Sequence, residues 1–257
     1  MRPNTMLRKL RAGEPAFGTF LALGSALAAE QLGHAGFDWL LIEQEHHAIG
    51  IETTQQMLQA ISTTDSIPLV RVPSADLLSI RQVLDAGAYG VLAPMVRTPR
   101  DAEILVAAGR YPPVGERGIG GARRTLYGGD DYFEHANEEI ALIVQIEHVE
   151  AVENIREILA VPGIDAWFLG PSDLCASMGL PPGYDPQYPE YFEAVAEVRA
   201  AGEEAGIPGG IHTSAGNVAG MVDEGYQMIA IGYDISYLSA GGTEAVQAAR
   251  AAVSGRG

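Results

Sequence analysis

Residues 142–147 read LIVQIE, an apolar run that ends by setting Gln145 and Glu147 two positions apart. Residues i and i+2 of a β-strand face the same way. As a strand, this segment presents an amide and a carboxylate together at its C-terminal end. A second acid, Asp173, stands in GPSDL (170–174), just past another apolar run. Two carboxylates at one place repel unless a cation lies between them. Hard divalent ions such as Mg2+ and Mn2+ favour oxygen ligands and keep positions open for water or substrate. The alternative is that these acids are helix caps or surface ion-pair partners, since Ser172 and Asp173 are both favoured N-caps.

Three other segments carry reactive side chains. EQEHHAIG (43–50) packs Glu43, Glu45, His46 and His47 behind an apolar run. Histidine is the usual general base near neutral pH, and a neighbouring carboxylate can orient it. Adjacent histidines on an extended segment point opposite ways, so His46 and His47 are poor joint chelators and one of them is the candidate base. Arg71 interrupts the apolar segment PLVRVP (68–73), and a buried guanidinium needs an anionic partner. That partner is either a substrate oxygen or one of the acids above, as a structural ion pair. The backbone N–H groups of GPSDL, where a helix begins, form a seat for a carboxylate. His212 is a packed histidine or a further site residue, and Cys175 reads as a small buried side chain. No GxSxG elbow is present.

The elements that must position these groups alternate. Short β-rich runs fall at 17–23, 39–45, 68–73, 90–96, 142–147, 166–171, 209–213 and 228–234. Helix-like stretches such as 53–62, 75–87, 152–161 and 191–206 lie between them. Alternating strands and helices predict a parallel sheet with helical crossovers, and eight such strands in 257 residues fit a single-domain (β/α)8 TIM barrel. An open doubly wound sheet is the rival. The barrel is preferred because closure gathers Glu43, Glu45, Arg71, Gln145, Glu147 and Asp173 around one mouth. No GxGxxG follows the first strand. The segment 97–141 is the longest interruption, expected to form a lid or loop with one short helix.

Composition limits the function. The formal net charge of −17 argues against nucleic acid as a partner. No apolar stretch is long enough to span a bilayer, and no leader pattern follows the basic start. One cysteine excludes an intramolecular disulfide framework and suits a reducing, cytoplasmic setting. Lys9 is the single lysine of the chain, and it precedes the first expected strand. A Schiff base on a barrel strand is therefore excluded, and any enolate chemistry here calls for metal assistance.

The ordered set FDWLLIEQEH, PLVRVP, VLAPMV, GRYPPVGERGIGGAR, LIVQIE and FLGPSDL resembles the HpcH/HpaI family of class II pyruvate aldolases, from about residue 15 to about residue 245. The resemblance implies a metal-dependent barrel that cleaves 4-hydroxy-2-oxo acids to pyruvate, or a close 2-oxo acid such as hydroxypyruvate, and an aldehyde. It implies Glu147 and Asp173 as ligands of Mg2+, Mn2+ or Co2+, His46 as general base and Arg71 as stabiliser of the enolate. It implies Gln145, Gly170, Pro171, the Ser172 and Asp173 amides and Ile211 as substrate contacts, and Asp85 as a residue that raises the basicity of the histidine. A plain helix reading instead places Asp85 at a helix C-terminus, away from the mouth. The family also implies a homohexamer, a trimer of dimers with exchanged C-terminal helices. Two departures are visible: Glu43 stands where the family commonly has aspartate, and His212 stands in a region where relatives are aliphatic.

Two other functions stay open on the sequence. One is a CoA-ester lyase of the citrate lyase β-subunit or malyl-CoA lyase type, for which Arg117, Arg123 and Arg124 are the clustered basic residues. The other is a non-catalytic barrel that binds 2-oxo acids.

Overall fold

A computed structural model of the chain describes residues 1–183 and 186–254. Eight parallel strands close into a barrel in sequence order. They are β1 (Ala16–Leu21), β2 (Trp39–Glu43), β3 (Ile67–Arg71), β4 (Gly90–Ala93), β5 (Ala141–Ile146), β6 (Ala166–Leu169), β7 (Gly209–Thr213) and β8 (Met228–Tyr233). Each expected run contains one strand, with ends shifted by a few residues. Buried on both faces, the strands read as near-continuous apolar runs rather than alternating ones. β2, β3 and β5 are buried along their whole length, so Glu43, Arg71 and Gln145 are taken out of water and must find partners.

Helices α1 (Thr5–Arg11), α2 (Ala26–Gly33), α3 (Ile51–Ile61) and α4 (Leu77–Asp85) accompany the first half of the barrel. In α1, Asn4 caps the first turn by accepting the Leu7 N–H at 3.0 Å, while Met6, Leu7 and Leu10 are buried.

The segment 97–141 is not a lid with one short helix. It contains α5 (Pro99–Gly109), α6 (Arg123–Gly128) and α7 (Tyr132–Glu139). Thr98 and Asp101 form a reciprocal capping box with Pro99 in the first turn, a strong helix start. The stretch 152–161 is likewise two helices, α8 (Val149–Glu153) and α9 (Ile155–Leu159). They break at Asn154, whose amide donates to the Arg97 carbonyl at 3.0 Å.

After β6 come α10 (Pro171–Ser177) and α11 (Pro189–Ala205), then α12 (Val218–Asp223) between β7 and β8. The chain continues into α13 (Asp234–Ser254), where Asp234 alone is buried and Ile235, Leu238, Val246 and Val253 are exposed. Among the described residues, no helix is long and apolar enough to cross a membrane.

Candidate active site

The site begins with a register fact. In the parallel β2–β3 ladder, Glu43 is the direct partner of Arg71. The Arg71 Nε donates to Glu43 Oε2 at 2.5 Å, and its Nη2 pairs with the same oxygen. The other Glu43 oxygen accepts the Glu45 N–H at 2.7 Å and the His46 N–H at 3.3 Å. One buried carboxylate therefore neutralises the guanidinium and folds the turn that carries the histidine. Arg71 also lies 3.3 Å from Glu45 Oε2 through Nε, and its Nη1 donates to Gln145 Oε1 at 3.3 Å. Burial works against the arginine's charge, but Glu43, Glu45 and Glu147 outweigh it and push its pKa up.

Gln145 relays the network to β5's end. Its Nε2 donates to Glu147 Oε2 at 2.5 Å, as the same-face i,i+2 spacing requires. The other Glu147 oxygen accepts the Met95 N–H at 2.7 Å. Met95 has φ 53°, the one non-glycine residue with positive φ among those described. A Cβ clashes with the backbone in that region, and such strain concentrates at functional sites. Burial is the first cause that raises the Glu147 pKa, to about 7; Glu45 and Asp173 add to it, against the Met95 N–H and Arg71. Burial also raises Glu45, against Arg71 and His46 and with Glu43 and Asp173. Glu147 and Glu45 thus resist losing their protons, crowded by further acids at the mouth.

The third side of the mouth is the turn from β6 into α10. Gly170 is its N-cap and Pro171 the first helical residue. A Cβ on Gly170 would sit 2.6 Å from both Cβ and Oε2 of Glu147, so only glycine lets the two segments approach. Asp173 is exposed in the first turn of α10. A cavity of about 120 Å3 opens between these segments, lined by His46, Arg71, Gln145, Ser172 and Asp173 among others. His46 Nε2 is 3.5 Å from Glu45 Oε2. His47 lines a different groove, beside Ile49 and Pro73, so the two histidines part as their adjacency demands. A larger groove of about 880 Å3 lies at the opposite end of the barrel. Its arginines, Arg11 and Arg199, are paired with Asp165 and Glu224, and the reactive groups gather at the smaller cavity.

The donor set suits a hard divalent ion: two carboxylates, Glu147 and Asp173, close enough for each charge to act on the other. Among the described residues no cluster of three or more His, Cys, Asp or Glu side chains is arranged to hold a metal. A cation here would rest on the two acids and complete its shell with water or substrate oxygens.

Two sequence candidates sit elsewhere. Asp85 closes α4, five residues before β4 begins, at the end of the barrel away from the mouth. Its carboxylate pairs with the buried Arg117 at 3.0 Å, so this chain does not bring it to its own His46. Ile211 is buried in the core, and the neighbouring His212 lines the cavity instead, because adjacent strand residues face opposite ways. The arginine cluster is no open phosphate patch either. Arg117 is buried against Tyr111 and Tyr132, and Arg124 bonds to the Gly120 carbonyl and the Tyr111 hydroxyl. The sequence reading overlooked Met95, which carries no signal for positive φ, and the rings of Phe20, Phe168 and Tyr233, which look like ordinary core residues.

Fold and site together define a barrel lyase. The chain belongs to the HpcH/HpaI aldolase/citrate lyase family, whose model matches residues 16–240, and it is an aldolase. It is 40% identical over 245 residues to the 4-hydroxy-2-oxo-heptane-1,7-dioate aldolase of Salmonella dublin, covering 93% of this chain and 91% of the relative. Among solved structures, an HpcH/HpaI aldolase/citrate lyase family protein from Burkholderia cenocepacia J2315 superposes with a TM-score of 0.89. It is 38% identical, covering 96% of this chain and 99% of that one. The HpcH/HpaI aldolase from Desulfitobacterium hafniense DCB-2 gives a TM-score of 0.86 at 31% identity, with 95% of each chain covered.

Proposed function

We propose that the protein reversibly cleaves a 4-hydroxy-2-oxo acid to an aldehyde and pyruvate, or a close 2-oxo acid such as hydroxypyruvate. The observation that carries this reading is the convergence of His46, Arg71, Gln145 and Asp173 on one small cavity, with Glu147 hydrogen-bonded to Gln145 beside it. Glu147 and Asp173 are the proposed holders of a divalent cation, with Mg2+, Mn2+ and Co2+ as candidates. When bound, such a cation supplies Lewis-acid polarisation of the 2-oxo group.

The chain's own groups do the rest. The N–H groups of Ser172 and Asp173, in the first turn of α10, hold the substrate carboxylate between Gly170–Pro171 and Gln145. His46, through a water molecule, takes the proton from the 4-hydroxyl as the C3–C4 bond breaks. Arg71 is fixed by Glu43 on one side, and it faces the oxygen on which negative charge grows. Reprotonation at C3 of the enolate releases the 2-oxo acid. Lys9 lies in α1, outside the barrel strands, so an imine route has no strand lysine.

The same reading includes a homo-oligomer, a hexamer built as a trimer of dimers. The length of α13 and its exposed Leu238, Val246 and Val253 support a helix that packs on another copy. The test of the activity is cleavage of 4-hydroxy-2-oxopentanoate by the metal-loaded protein, with pyruvate read by coupled reduction to lactate. Metal-dependent release is the expected result; no release with any of the three metals would reject the proposal.

A further inference from the structure

Glu43 and Gln145 hold the edges of the Arg71 guanidinium. Hydrogen bonds made in that plane leave the face of the group uncovered, and an aromatic ring closes it. The Arg71 Cζ lies over the Phe20 ring, 5.4 Å from its centroid. Strand register accounts for the contact. Phe20 is opposite Leu41 across β1–β2, and Leu41 is opposite Leu69 across β2–β3. Leu69 and Arg71 share a strand face, so Phe20 sits one layer below the guanidinium and forms its floor.

The ring is itself fixed. Phe20 is buried, Trp39 meets it edge to face at 6.5 Å, and the Phe168 and Tyr233 rings are 6.0 Å and 5.2 Å away. Trp39 is anchored in turn, because its Nε1 donates to the Ala16 carbonyl at 3.1 Å. Gly18 makes room for its indole, with which a Cβ at that position would collide. A desolvated guanidinium is attracted to the negative face of such a ring. The ring also keeps water off that face, where a low dielectric strengthens charge interactions. Nη1 carries two N–H groups, of which one goes to Gln145. The direction of the other follows the tilt of the plane, which the ring sets.

We propose that Phe20 is a positioning residue for enolate formation: its ring fixes the tilt of the Arg71 guanidinium and shields its face, so that the charge meets the enolate oxygen as it develops. This rests on the aldolase reading above and adds to it the group through which Arg71 is aimed. An effect on a charge that grows in the transition state lowers kcat and leaves substrate binding nearly alone.

The test follows exchange of pyruvate methyl protons in D2O by the metal-loaded full chain. Phe20→Leu and Phe20→Met are each compared in the unaltered and in the Arg71→Lys background. Lysine keeps the positive charge but has no flat face for the ring to hold. In the unaltered background each substitution should lower kcat by about five- to thirtyfold, the range of one desolvated cation–π contact. KM for pyruvate should stay within about twofold. Phe20→Tyr, which keeps the ring, should retain most of kcat. In the Arg71→Lys background the same substitutions should cost less than about twofold. Thermal melts show which variants fold, and either Phe20→Leu or Phe20→Met is enough for the comparison. Equal losses in the two backgrounds would overturn the inference, because Phe20 would then act by packing alone. An unchanged kcat, or a loss confined to KM, would overturn it as well. No exchange by the unaltered protein with any metal would overturn the aldolase reading and this inference with it. Intact exchange with equal losses in both backgrounds would overturn this inference alone.

Discussion

Glu43 and Arg71 are direct neighbours across the β2–β3 ladder, both buried, and joined through one carboxylate oxygen at 2.5 Å. The pair is a structural ion pair and a site component at once, because the guanidinium still reaches Gln145. Arg71→Ala would leave the Glu43 charge in the core with no counter-ion, which costs about 3–5 kcal/mol. Urea unfolding should show that loss. The double variant Glu43→Gln with Arg71→Ala should lose less than the sum of its single variants, because the orphaned charge is gone. Neither Arg71→Ala nor the double variant should recover turnover, since the charge facing the enolate is missing from both.

Gly170→Ala tests the approach of α10 to β5. The new methyl would meet Glu147 at 2.6 Å, so either the carboxylate or the α10 turn must move. Divalent-cation affinity should drop by at least tenfold, while the unfolding temperature changes by only a few degrees, as the turn is at the barrel rim. Titration followed by the Mn2+ paramagnetic resonance signal measures the first, and a thermal melt measures the second.

The crowded carboxylates predict an opposite pH response in metal-free and loaded protein. The Glu147 pKa is raised to about 7 by burial and by its acidic neighbours. A carboxyl that prefers to be neutral in the fold stabilises it at low pH, and that contribution is lost as pH rises through about 7. For this group the loss is at most about 3 kcal/mol. Chelator-treated protein should therefore be less stable at pH 8 than at pH 6. Adding Mn2+ should raise the unfolding midpoint more at pH 8, because the cation replaces the proton.

The barrel was legible in the sequence because parallel strands buried on both faces leave unbroken apolar runs, as in WLLIE and ALIVQI. The i,i+2 rule placed Gln145 beside Glu147, and the lone lysine removed the imine route. The identity of Arg71's partner was not legible, because strand register decides it: Glu43 rather than Glu45 lies opposite. The helices in 97–141 were missed although Thr98, Pro99 and Asp101 spell a capping box. Met95 could not be read at all, since its positive φ is imposed by the turn that hands its N–H to Glu147. Asp85 is a separate case. Helix position alone sets it at the end of α4 away from the mouth, and the pairing with Arg117 gives it a partner there.

Enolate formation on the charged half of the mouth is the central claim, and proton exchange reports it without any choice of aldehyde. Pyruvate would be followed by proton NMR in D2O with chelator-treated protein, before and after addition of Mg2+, Mn2+ or Co2+. The account predicts loss of the methyl signal only when metal is present, and no loss with Glu147→Gln under the same conditions. Pyruvate that binds yet keeps its methyl protons with every metal would contradict it.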